Sequence, residues 1–161
     1  MRTYTHGAIG YLLYARRPRS ERHLAALGGV LPDVILAIGF IFHVAEPRSS
    51  LQWVADAHAL LHFSVLHEVT VVLHSLVLMT PLLALAWILR PTLVPLFVGI
   101  VAHSVVDLFT HQKWAYNHFH PLPLPPLHAP LSYTDATFTV LEHIGVVVFV
   151  VWVVRRRRGE G

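Results

Sequence analysis

Apolar residues dominate three stretches long enough to cross a bilayer as helices, about Val69 to Leu89, Thr92 to Phe109 and Ala136 to Val154. A helix rises ~1.5 Å per residue, so about 20 apolar residues span the ~30 Å hydrocarbon core. A fourth stretch, about Leu24 to Ala45, is interrupted by Pro32 and Asp33. Proline removes a hydrogen bond from a helix interior, so a break is expected there. It would free backbone groups at mid-depth, which membranes accept only where protein or a water-filled cavity surrounds them. Thr5 to Ala15 is apolar but half the length of a span, which predicts a half-helix, a re-entrant piece or a packed lid, with Thr5 placed to cap it. The segments Glu46 to Leu66 and His111 to Asp135 are polar, and the second is rich in proline and histidine, which predicts an ordered loop. The expected fold is all-α, one domain over residues 1–161, with about four spans and a short N-terminal half-helix.

Composition agrees with a bilayer as solvent: 55% of residues are hydrophobic and only 13% charged. The chain has no cysteine, so a metal site must use imidazole and carboxylate, donors that suit zinc, manganese or iron. The positive charge is arginine at segment ends and not a basic face for nucleic acid. If the four longer stretches alternate, Arg16, Arg17, Arg19, Arg22, Arg90 and Arg155 to Arg158 fall on one side, and Arg48 and Lys113 on the other. The positive-inside rule then puts the C-terminus in the cytoplasm and both polar loops outside. Trp53, Trp87, Trp114 and Trp152 read as interfacial belt residues.

Ionisable residues inside these stretches carry the candidate chemistry. Measured from the outer boundary, His74 lies about 9 Å deep, Asp107 about 6 Å, His103 about 12 Å, Glu142 about 10 Å, Asp33 about 16 Å and His6 about 15 Å. Such groups cost several kcal/mol in lipid unless paired or hydrated, so a common layer implies one shared site. His103, Asp107 and His111 are each four residues apart and share a helix face. That stripe is about 12 Å long, too long for one ion. Asp107 at its centre can bridge two ions ~3.5–4 Å apart. His67 and His74 share a face of the preceding stretch. A lone histidine such as His43 or His143 is more often a helix-to-helix hydrogen bond than a ligand, and the loop histidines His58, His62, His118, His120 and His128 have an equally plain reading as interfacial polar residues.

Thr5-His6, Leu31-Pro32-Asp33, His67 with His74-Ser75, and above all His103-Ser104-Val105-Val106-Asp107-Leu108-Phe109-Thr110-His111 resemble the YdjM-like group of bacterial inner-membrane proteins classed as metal-dependent hydrolases. The resemblance extends to His118-Phe119-x-Pro121-Leu122 and Pro130-Leu131-Ser132-Tyr133-x-Asp135. His-x-x-x-Asp with a later Thr-His is also distantly similar to zinc-dependent phospholipase C. Residues and resemblance together give an expected multi-pass protein of the bacterial inner membrane. Its expected ligands are His6, Asp33, His67, His74, His103, Asp107 and His111, holding one or two divalent ions, zinc first. The expected reaction is hydrolysis of a phosphodiester or ester at lipid headgroup level, with Asp33 and Glu142 as catalytic carboxylates and membrane lipids as partners. Two other classes compete. A divalent-ion transporter needs a polar path past Asp33 to the cytoplasm, and no polar stripe continues that way. A regulatory protein with a structural ion fills every coordination position, and the candidate ligands outnumber what one such ion needs.

Overall fold

A computed structural model describes residues 1–44, 65–112, 117–125, 127 and 129–159. The polar segment up to residue 64, with Arg48, Trp53, His58 and His62, lies outside the described residues, as do Lys113, Trp114 and His128. The described elements are helices: α1 (Thr3–Leu13), α2 (Arg19–Val44), α3 (Val65–His74), α4 (Leu76–Leu89), a short 3₁₀ turn (Pro91–Leu93), α5 (Val94–Thr110) and α6 (Ala136–Gly159). The all-α expectation holds for these residues. The Pro-rich stretch after α5 forms turns and one isolated bridge between His111 and Ser132, so its described part is a loop.

Among the described residues, two helices are long and apolar enough to cross a membrane, Pro91–Thr110 and Ala136–Arg156. A third span exists if His67–His74 and Leu76–Leu89, which meet at 68°, count as one. The described residues therefore hold two or three candidate spans and fit a membrane protein. The fourth expected span, Leu24 to Ala45, runs past the described residues at Ala45.

Pro32 does not break α2, which continues through it from Arg19 to Val44. Proline supplies no N–H to the preceding turn. Here the preceding turn, with Gly28 and Gly29, is pressed against the backbones of α5 and α1. α2 packs mainly against α5 and α1. The approach is close because the seams are glycine: a Cβ on Gly28 would overlap the Leu96 backbone, and one on Gly29 would overlap the His6 carbonyl. Small residues at such seams let membrane helices pack backbone to backbone. α1 is thereby pressed into the bundle, its His6 wholly buried. The expected Thr5 cap is not formed: Arg2 is the N-cap, without a side-chain cap bond, and Thr5 donates instead to Glu142 Oε1 at 2.7 Å.

Candidate metal centre

His74 closes α3 and His103 lies mid-way along α5. His74 Nδ1 is 2.8 Å from the Thr70 carbonyl and His103 Nδ1 is 2.7 Å from the Gly29 carbonyl. A carbonyl only accepts, so both Nδ1 atoms carry a proton and each ring turns its Nε2 edge to the other. Those two Nε2 atoms are 3.1 Å apart and buried. Asp107 Oδ2 lies 3.1 Å from His103 Nε2 and 3.6 Å from His74 Nε2. Asp33 Oδ1 stands at 3.7 Å and 4.0 Å from the same two atoms. The donor atoms of Asp33, His74, His103 and Asp107 all lie within 4.8 Å of one another, so these four residues can hold a metal ion.

The donor chemistry fits an ion, because two imidazole nitrogens and a carboxylate oxygen lie within 3.6 Å of one another. Ligand atoms ~2.0–2.1 Å from a tetrahedral zinc sit about 3.3 Å apart, close to the spacing of His74, His103 and Asp107. The backbone carbonyls that fix both rings are the outer partners typical of metal-bound histidine.

The second oxygen of Asp107 faces another group. Its Oδ1 is 2.9 Å from His6 Nε2, 3.0 Å from His111 Nδ1 and 3.3 Å from the Met1 amino group. The His6 ring stacks on His103 with centroids 3.8 Å apart. Six of the expected site residues therefore converge: His6, Asp33, His74, His103, Asp107 and His111.

His67 and Glu142 stand elsewhere. His67 lies two turns before His74, about 10 Å back along α3, and is not in the group of four. Glu142 is held by the Arg2 backbone N–H at 2.9 Å, by the Arg2 guanidinium and by the Thr5 hydroxyl. Asp33 differs: Thr3 donates to its Oδ2 at 2.7 Å, leaving Oδ1 turned to the imidazoles.

Sequence reasoning missed the device that orients His74. The helix stops at His74 and restarts with Ser75 as N-cap, whose Oγ accepts from Leu78 N–H at 3.2 Å. The two backbone groups around the break are taken by one residue of the distant loop. His118 Nδ1 donates to the His74 carbonyl at 3.1 Å, and the His118 carbonyl accepts from Leu76 N–H at 2.8 Å. Ser75 also donates to the His120 carbonyl. Burial holds the His118 imidazole below its ordinary pKa, in the neutral form. A serine after His74 in an apolar run was the signal available for the helix start; nothing local pointed to His118.

No family model matches the chain, and neither a curated protein nor a solved structure does.

Proposed function

We propose that the chain is a membrane-embedded, metal-dependent hydrolase of the bacterial inner membrane, with zinc as its ion and manganese or iron as the other fits. The observation that carries this reading is the convergence of Asp33, His74, His103 and Asp107, whose donor atoms all lie within 4.8 Å of one another. The sequence resemblance to the YdjM-like hydrolases supplies the reaction class.

His74, His103 and Asp107 hold the ion, three protein ligands of the kind that leave a catalytic site open. An ion there lowers the pKa of water towards neutrality and polarises a phosphoryl or acyl oxygen. Asp33 is the general base: its Oδ1 is further from the imidazoles than Asp107 is, and Thr3 fixes its other oxygen. A second ion, if bound, would be held by His6, Asp107 and His111 and would have to displace the Met1 amino group now beside Asp107. Glu142, tied to Arg2, steadies α1 against α6 and takes no proton in this scheme.

The bond cleaved is an ester or phosphodiester at lipid headgroup level, and the C-terminus is cytoplasmic. Arg156 donates to the Ala15 carbonyl, so the Arg16–Arg17 corner and the Arg155–Arg158 tail share one end of the bundle, as the orientation from the positive-inside rule requires. The test is metal content measured beside turnover on phosphodiester and carboxylester lipids. Hydrolysis that survives complete removal of the ion would overturn the reading.

A further inference from the structure

α1 and α6 run side by side in the same direction and are fastened at both ends. At the N-terminal end Arg2 and Thr5 hold Glu142, and the Tyr4 hydroxyl meets His143 Nε2 at 3.1 Å. At the other end the Tyr11 ring packs edge-on against Phe149 and Trp152, at 5.6 Å and 6.5 Å between centroids. Between the fastenings lies a groove of about 770 Å³, within the ~300–1,000 Å³ typical of small-molecule sites.

The groove is amphiphilic along its length. Ala8 and Leu12 of α1 face Leu141, Val146 and Phe149 of α6 over its apolar part, and Met1, Thr5, Asp135, Thr137 and Glu142 form its polar part. Its α6 wall, from Ala136 to Phe149, rises roughly 20 Å, somewhat more than the ~15 Å of hydrocarbon in one leaflet. The polar part adjoins the metal centre, because Met1 lines it while its amino group lies 3.3 Å from Asp107 Oδ1. Gly145 keeps the wall open: a Cβ there would meet no atom within 4 Å.

We propose that this groove holds one acyl chain of a bilayer phospholipid, with the headgroup linkage at the Met1 and Glu142 end beside the metal centre. The occupant follows from the surroundings. α6 is a candidate membrane span of which only 6% is buried, and Ile144, Val147, Val148 and Val151 are exposed around it. The medium that meets this helix is hydrocarbon, and a chain entering from it finds apolar walls and then one polar end. The lipid is the substrate only if the hydrolase reading holds; its binding in the groove does not depend on that reading.

The test uses the full chain in phosphatidylethanolamine and phosphatidylglycerol vesicles with a trace of phospholipid bearing a diazirine on one acyl chain. After illumination, label concentrates in the peptides around Ala8–Leu12 and Leu141–Phe149, above that on the exposed α4 surface at Trp87 and Ile88. Gly145→Trp fills the groove and abolishes the concentration at Ala8–Leu12 while metal content stays that of the wild type; Gly145→Leu gives the same loss if the tryptophan variant does not fold. Chelator-treated wild type keeps the groove label. Uniform labelling of all apolar surfaces, or label at Ala8–Leu12 indifferent to both variants, overturns the proposal. An occupied groove with no metal-dependent turnover counts against the hydrolase reading alone.

Discussion

His74 and His103 face each other through Nε2 atoms 3.1 Å apart, each ring held in place by its Nδ1 donating to a backbone carbonyl. With Asp107 Oδ2 within 3.6 Å of both and Asp33 beside them, the four residues can hold a metal ion. The centre is assembled from four helices: α1 supplies His6, α2 Asp33, α3 His74 and α5 both His103 and Asp107.

Asp107 is the residue on which both halves of the cluster depend. Asp107→Ala should lose bound metal and turnover, exceeding the ~10–100-fold cost of losing an outer-shell partner. Asp107→Asn keeps the shape but not the charge and should lose metal nearly as badly. His143→Ala, which among the described residues removes contacts to Tyr4 and the Thr139 carbonyl, should leave metal content unchanged. Elemental analysis of the three proteins checks all of this.

Asp33→Asn separates a base from a ligand. As the base, Asp33 should be replaceable with metal retained and turnover reduced by ~10²–10⁴-fold. Metal lost in step with activity would make it a fourth ligand and the site a closed, structural one.

His118→Ala leaves the His74 carbonyl without its imidazole donor at a buried helix break. The expected cost is about 1–3 kcal/mol of stability, together with ~10–100-fold weaker metal binding through a less firmly held His74. Thermal unfolding and competition with a metal chelator measure the two separately. Unchanged metal affinity in a destabilised protein would restrict His118 to fastening the loop.

Gly29→Ala should be among the most harmful small substitutions, because its Cβ would overlap the His6 carbonyl at a backbone contact that cannot swing away. Overpacking of this kind costs about 1–3 kcal/mol, and here it also parts His6 from Asp107. Gly145→Ala, facing open space, is the matched control, and detergent-solubilised melting curves compare the two.

The layer of buried ionisable groups was legible because depth and face follow from helical spacing alone. His103, Asp107 and His111 share a face by their four-residue intervals, and the common depth of His6, Asp33 and His74 brought them to the same place. Depth carries no information about direction around a helix, so Glu142, at the same level, was indistinguishable from Asp33 until Arg2 was seen holding it. The break at Ser75 was hidden in a uniformly apolar run, since His118, which satisfies it, is 44 residues from His74. Pro32 misled in the opposite sense: its local cost is real, but close packing of α1 and α5 on Gly28 and Gly29 carries the helix through.

Whether His74 and His103 hold an ion is decided by the divalent-metal content of the chain purified in mild detergent without chelators. The wild type should carry at least about one ion per chain. A His74→Ala, His103→Ala double variant of unchanged helical circular dichroism should carry none. A folded wild type that is bare, and stays bare after incubation with zinc and dialysis, would contradict the account.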